Sequence, residues 1–152
     1  MIANKTLFSK TMFTAALMLL PLLVTSPARA SGNHQVEITF TKWITSFPSM
    51  EGFTGGEVPG AFEGTLFQVT PLADGRVIKL DAEYEIIADD PAHSFKARVS
   101  GSDNNVSNHA ALNGVVTEGW RAGAQVHVEF QTVPCAHGYG YCFDGTIRIQ
   151  GN

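Results

Sequence analysis

The sequence predicts an all-β protein that folds as a single antiparallel β-barrel of about eight strands, and three observations support this fold class. After residue 30, apolar and polar residues alternate through most of the chain, which is the period of a strand with one buried face. Segments rich in glycine, proline, asparagine or aspartate separate these runs, and no amphipathic run of helical period reaches ten residues. Because closure removes the exposed edges of a meander, we expect a barrel, with a two-sheet β-sandwich as the alternative.

Residues 1–30 have the features of a signal peptide. Two lysines precede an almost unbroken apolar run over residues 12–24, and the sequence Ala-Arg-Ala at 28–30 matches the small-x-small pattern that signal peptidase cuts. The apolar run is too short to span a bilayer comfortably, although an uncleaved membrane anchor is the alternative. We therefore expect an exported protein, periplasmic or extracellular, with no membrane anchor after cleavage and one domain over residues 31–152.

The first strand is predicted over residues 35–42, where valine, isoleucine and phenylalanine alternate with glutamate and threonine. Residues 43–60 break this alternation with two prolines and four glycines, which favour tight turns, so we expect a long loop or an irregular, bulged hairpin. The strand over residues 61–70 has apolar residues on both faces. Gly64 is the candidate position for a bulge that changes the register of this strand.

The strand predicted over residues 76–88 is apolar on one face and densely charged on the other. The following strand, over residues 93–100, carries Lys96 and Arg98 on its polar face. These two basic side chains are expected to lie beside the acidic face of the previous strand in a hairpin. A polar turn is predicted over residues 101–107.

The segment from His109 to Thr132 has the clearest pattern of all and is predicted to form two strands joined by a tight turn. Alternation from residue 124 onward has no exception, and Gly119 and Gly123 bracket the turn. The last strand is predicted over residues 143–150, after a hairpin tip at 134–141.

Cys135 and Cys142 are expected to form a disulfide bond, because an exported protein meets an oxidising compartment. A metal site that combines the two thiolates with His137 is the alternative, but no further histidine or cysteine lies nearby. The loop also contains Tyr139 and Tyr141. We interpret His137, Tyr139 and Tyr141 as a candidate binding loop, with bracing of the hairpin as the simpler role.

The charge of the chain argues against two classes of partner. All fourteen acidic residues but seven of the ten basic ones follow residue 30, which leaves a net charge of −7. Such a chain repels the phosphates of nucleic acid and the surface of an anionic membrane. The partners that we expect are therefore a hydrophobic small molecule or another protein.

The inward faces of the predicted strands provide the candidate ligand-binding residues. We assign this role to Tyr84, Phe95, Val128 and Phe130, because an apolar wall suits a hydrophobic ligand that a few polar groups orient. Glu63 is a weak candidate for catalysis, since its strand has no clean face and burial would make its carboxyl a possible general acid or base.

The last third of the chain resembles the allene oxide cyclase-like barrels, a superfamily that includes the dirigent proteins. The similarity lies in ALNGVVTEGWRAGAQV, followed by a strand and then by CFDGTIRI, and covers about forty residues. The positions that match the family pattern are Gly114, Thr117, Gly119, Trp120, Gly123 and Ala124. Val115 and Gln125 depart from it.

This resemblance implies a barrel that holds an apolar substrate in its interior, as cyclases and stereo-directing proteins of the superfamily do. In the cyclases a carboxylate and an asparagine of the first strand face the cavity. The comparable residues in this chain are Glu37 and Thr39, so threonine stands where the amide is expected.

Two functions of different class follow from the sequence. The first is binding of an apolar small molecule or a protein partner without catalysis. The second is a cyclase or isomerase that acts inside the barrel without a cofactor. No pattern typical of a metal site, a nucleophile elbow or a phosphate-binding loop occurs in the sequence, so no cofactor is expected.

Overall fold

A computed structural model describes residues 34–136, 138 and 140–151. Their fold is all-β, as predicted. The strands are β1 (Val36–Ser46), β2 (Ser49–Gly56), β3 (Gly60–Leu72), β4 (Val77–Ala88), β5 (Phe95–Asn104), β6 (His109–Gly119), β7 (Gln125–Pro134) and β8 (Tyr141–Ile149). Two single turns of 3-10 helix, Ala73–Gly75 and Pro91–His93, lie between strands. The described residues contain no helix long and apolar enough to cross a membrane.

The eight strands form one closed antiparallel barrel in which each strand pairs with its neighbour in sequence. Closure occurs between the first and last strands, where Val36 pairs with Ile149 and Trp43 with Cys142. The predicted barrel is therefore confirmed, and the two-sheet sandwich is excluded.

The interior is built by the alternation that the sequence displays. Side chains that point inward are almost completely buried, and Ile38, Ile86 and Val128 have no exposed surface. Ile78 and Leu80 of β4 also point inward, but they are only partly buried and line a cavity.

The segment after the first predicted strand is the irregular hairpin that was one of the two expectations. β1 continues to Ser46 with a register shift before its end, and the glycine-rich segment forms β2. This segment lacks the apolar alternation of a strand because Gly52, which has no side chain, occupies an inward position. A Cβ atom at Gly52 would lie 2.8 Å from the Cα atom of Lys42 on β1, so only glycine allows the two strands to approach this closely.

β3 contains the expected bulge, but at Phe67 instead of Gly64. The pairing with β4 is regular up to Leu66 and resumes at Gln68, which leaves Phe67 as the additional residue. The ring of Phe67 is half exposed on the outside of the barrel, where the guanidinium of Arg98 lies 3.8 Å from the ring centroid. The bulge explains why apolar residues occupied both faces of this strand in the sequence.

The predicted charge pairing between β4 and β5 is confirmed. Lys96 lies 3.1 Å from Glu85, and the guanidinium of Arg98 donates two hydrogen bonds to Asp81 at 2.7 and 2.8 Å. These pairs lie on the outer surface of the barrel.

The two ends of the barrel differ. The lower end, which carries the β2–β3, β4–β5 and β6–β7 turns, is filled by buried side chains. Those side chains are Val36, Val58, Phe95, Ala124 and Ile149. The upper end carries the other four turns, among them the β7–β8 hairpin with its disulfide bond between Cys135 and Cys142.

The disulfide was predicted from the sequence and is present, with 4.8 Å between the two Cα atoms. Replacing both cysteines with alanine is expected to lower the free energy of unfolding by about 2 kcal/mol, because the bond restricts a short loop in the unfolded chain. Urea unfolding followed by circular dichroism measures the change. The far-UV spectrum should stay that of the unaltered barrel; a loss of the β signal before denaturant is added would contradict a bracing role.

Candidate functional site

The upper end of the barrel contains a cavity of about 250 Å³ to which all eight strands contribute. Its aliphatic lining consists of Ile44, Met50, Leu66, Val69, Ile78, Leu80, Ala82 and Leu112, and its aromatic lining of Phe47, Phe130 and Phe143. The polar residues that line it are Lys42, Tyr84 and Asp103.

The apolar wall of the cavity follows from strand geometry. β4 contributes most to it, since its alternation directs Ile78, Leu80, Ala82 and Tyr84 inward one after another. The bulge in β3 reverses the parity of that strand and so directs Val69 toward the cavity. Phe47, in the β1–β2 turn, is 68% exposed and forms part of the rim.

Lys42 lies at the deep end of the cavity, on the inward face of β1. It continues the series Val36, Ile38, Phe40, and it is only 3% exposed. Its Nζ atom donates a hydrogen bond to the hydroxyl oxygen of Tyr84 on β4.

Four aromatic rings surround the amine of Lys42. The Nζ atom lies 4.2 Å from the ring centroids of both Tyr84 and Phe130, 5.3 Å from that of Phe40 and 5.6 Å from that of Phe62. Rings at these distances attract an ammonium group through their negative faces. These rings therefore stabilise the ammonium form of the buried lysine, which makes no salt bridge to a carboxylate among the described residues.

The protonation of Lys42 is governed by its burial. Loss of hydration lowers the pKa of Lys42 to about 7, and the attraction of the Asp103 carboxylate partly opposes this. Burial also raises the pKa of Tyr84 well above its usual range, so its phenol stays neutral. Near neutral pH the site therefore holds a lysine present in both forms beside a protonated tyrosine.

Asp103 stands nearer the cavity mouth, on the inward face of β5. Partial burial raises the pKa of its carboxyl, while Lys42 and then His109 lower it. Its carboxylate gives the upper part of the cavity a negative charge above the lysine.

The predicted ligand-binding residues divide into two pairs. Tyr84 and Phe130 line the cavity and lie on either side of Lys42. Phe95 and Val128 are buried in the packed core and do not line the cavity. Alternation along a strand shows that a side chain faces the interior of the barrel, but not where it lies along the barrel axis. The sequence alone therefore cannot separate the two residues of the cavity from the two of the packed core.

Glu63 does not face the interior. It is exposed on the outer wall, where it pairs in register with Glu51 on β2 and Glu85 on β4. Its neighbour Phe62, which is 1% exposed, takes the inward position. The expectation that Glu63 points into the barrel is therefore wrong, because the apolar residues on both faces of its strand result from the bulge at Phe67.

The first-strand carboxylate suggested by the resemblance also points outward. Glu37 is exposed and accepts a hydrogen bond of 3.0 Å from Arg148 on β8. Of the candidate binding loop, His137 and Tyr139 lie outside the described residues, and Tyr141 is 70% exposed at the upper end.

Sequence reasoning missed Lys42 and Asp103. Both follow from extending an alternation already identified: Lys42 is one step beyond Phe40, and Asp103 is two steps beyond Val99. The pattern does not reveal them, because a charged residue at the end of an apolar alternation is typical of a strand terminus or a turn.

Within the described residues, no group of three or more histidine, cysteine, aspartate or glutamate side chains is arranged to hold a metal ion. No protein-family model matches the chain, and comparison with curated proteins likewise finds no match.

Proposed function

We propose that this protein is an exported binding protein that holds one small, mainly apolar molecule in the upper cavity of its barrel and does not turn it over. The observation that carries the proposal is the cavity itself, which has an almost entirely apolar wall and a few polar groups. Such a combination is typical of sites for hydrophobic ligands, in which the polar groups fix orientation.

The size of the cavity limits the ligand. At about 250 Å³ it lies below the roughly 300–1,000 Å³ of sites for drug-sized molecules. The occupant is therefore a compact molecule, such as a short-chain or single-ring compound. The exposed ring of Phe47 at the rim offers such a molecule an apolar first contact.

The proposed compartment rests on the leader of residues 1–30, and the disulfide bond is compatible with it. The proposal also agrees with the resemblance to the allene oxide cyclase-like barrels, whose members hold apolar substrates in the barrel. A protein partner is the less favoured occupant, because the apolar lining faces a concave space instead of a flat patch.

A cofactor-free isomerase or cyclase is the second candidate, and Lys42 is the observation that favours it. A lysine whose amine is partly neutral near pH 7 can accept a proton from a bound molecule, and the neutral phenol of Tyr84 can donate one. Turnover that disappears in Lys42→Met while affinity is retained would establish this second function.

The binding proposal is tested with a variant that fills the cavity. Leu80→Trp places a larger side chain in the cavity, whereas Ile87→Trp adds the same ring at a 43% exposed position of the same strand. Calorimetric titration with cinnamyl alcohol should show affinity weakened at least about tenfold in Leu80→Trp and unchanged in Ile87→Trp. Equal affinity in the wild type and both variants would place the binding site outside the cavity. If none of the three proteins gives a heat of binding, the proposal is contradicted.

A further inference from the structure

Lys42 is the feature of the cavity that a purely apolar site does not need. Apart from the hydroxyl of Tyr84, the buried polar side chains among the described residues are those of Lys42 and Thr54. The hydroxyl of Thr54 donates to the carbonyl oxygen of Val58 at 2.8 Å, a local contact that explains its burial. Lys42 donates to the hydroxyl of Tyr84, but the strands around it are held by backbone pairing and do not need a buried charge.

The surroundings of Lys42 distinguish between two kinds of ligand head group. An anionic head, such as a carboxylate, would pair with the ammonium form but would have to pass the carboxylate of Asp103 on the same cavity wall. A neutral carbonyl meets no such repulsion. It also finds an amine, a phenol and aromatic rings within one small volume.

We infer that the molecule held in this cavity is a small apolar aldehyde, and that the amine of Lys42 captures it reversibly as an imine. This inference rests on the proposed function, because it requires that the cavity take up an apolar molecule. It adds the chemical class of that molecule and a covalent step.

The step needs no oxidant, reductant or cofactor. The neutral Nζ atom attacks the carbonyl carbon; a C–N bond forms as the carbon–oxygen π bond opens, and a proton moves from nitrogen to oxygen to give a carbinolamine. The carbinolamine then loses its hydroxyl group with the remaining N–H proton as one molecule of water, which leaves the imine. The hydroxyl of Tyr84, hydrogen-bonded to Nζ, is placed to relay both protons.

The reaction requires the unprotonated amine, which the burial of Lys42 favours although the carboxylate of Asp103 opposes it. The titratable groups that face the amine are Tyr84 from β4 and Asp103 from β5, with His109 of β6 acting on Asp103. Neighbouring β2 contributes glycine at the paired position, and β8 contributes Phe143. With the pKa of Lys42 near 7, a large fraction of the amine is nucleophilic at neutral pH, unlike a lysine in water.

The test uses cinnamaldehyde with sodium cyanoborohydride at pH 7, followed by peptide mass spectrometry. Reduction of the imine adds the mass of the aldehyde less one oxygen atom to the modified lysine. Labelling of Lys42 should exceed that of the exposed Lys79 at least about tenfold, because its neutral fraction is far larger. Lys42→Met should abolish the dominant label, and Lys79→Met should leave it unchanged.

Two companion ligands separate this inference from the proposed function. Cinnamyl alcohol has nearly the same shape but cannot form an imine, and cinnamate carries the anionic head. Binding of alcohol and aldehyde without preferential labelling of Lys42 would overturn the imine and leave the binding function intact. Cinnamate that binds more tightly than the aldehyde in a Lys42-dependent manner would overturn the inference in favour of anion recognition. If no ligand binds and no lysine is preferentially labelled, both proposals fail.

Discussion

Replacing Lys42 with methionine is expected to raise the free energy of unfolding at pH 7 by about 2 kcal/mol. A pKa lowered from 10.5 to about 7 means that the folded protein disfavours the proton, at a cost of about 4 kcal/mol at pH 7. Methionine removes this cost. It also leaves the buried hydroxyl of Tyr84 without its hydrogen-bond partner, which destabilises the variant by about 1–3 kcal/mol. A site residue that lowers stability in this way is expected where function opposes folding.

The pH dependence of the free energy of unfolding is an independent test that the buried Lys42 has a lowered pKa and destabilises the fold. Between pH 7 and 10.5 the unfolded chain binds more protons at this lysine than the folded protein does, so stability rises with pH. The increase from pH 7 to about 9.5 should be roughly 3 kcal/mol and should be absent in Lys42→Met. Above about pH 10 the trend reverses, because the unfolded chain ionises Tyr84 while the folded protein resists it.

Guanidinium unfolding at a series of pH values measures both effects. Lys79→Met, which removes an exposed lysine from β4, serves as the matched control and should retain the slope. A Lys42→Met protein that is less stable than the wild type at pH 7 would show that the lysine supports the fold, contrary to the assignment.

Gly145→Ala is expected to destabilise the barrel by about 3 kcal/mol or more. Gly145 lies on β8 opposite Phe40 of β1 and Phe130 of β7. A Cβ atom there would lie 2.7 Å from the Cβ of Phe130 and 2.8 Å from the ring of Phe40, and closer still to the carbonyl oxygen of Glu129. Since backbone atoms cannot rotate away, the strands must separate.

Gly55→Ala provides the control for Gly145→Ala. The nearest atom to a Cβ at Gly55 is the hydroxyl oxygen of Thr39 at 3.0 Å, which a change of side-chain rotamer can move. Thermal unfolding of the two variants should therefore differ clearly, with Gly55→Ala close to the wild type. Similar melting temperatures for both would contradict the close approach of strands at Gly145.

The fold was predictable where packing and chain pattern agree. β4 and β5 have one apolar and one charged face, and their outer charges pair as Glu85 with Lys96 and Asp81 with Arg98. In such segments the alternation shows both that the segment is a strand and which of its faces points to the core. β2 could not be predicted in the same way, because its inward positions include Gly52, where the fold requires the absence of a side chain.

The site was only partly predictable for a related reason. Tyr84 and Phe130 were identified because they are apolar enough to be expected inside. Lys42 was not identified, although the alternation places it inward. Lysine is rarely buried, so one further step of the alternation is weak evidence that this side chain faces the interior. Its burial becomes intelligible only with the four rings and the hydroxyl that β1, β3, β4 and β7 bring together around it.

The closure between β1 and β8 has a consequence for how the barrel forms. Neighbouring strands elsewhere in the described chain are joined by short turns, whereas Glu37 and Arg148, which bridge this seam, lie 111 residues apart. Loop-closure entropy makes such a pairing costlier than a hairpin of about ten residues by roughly 2 kcal/mol. We therefore expect the meander to assemble from hairpins and the seam to close last.

Until the seam closes, β1 and β8 are unpaired edges. An open edge can pair with the edge of another molecule, so refolding yield should fall as protein concentration rises. Glu37 of β1 and Arg148 of β8 lie on the outside of these strands and form an ion pair at 3.0 Å across the seam, which favours the correct partner. The arrangement that gives the finished barrel no edge thus makes its last folding step a competition between closing on itself and joining a neighbour.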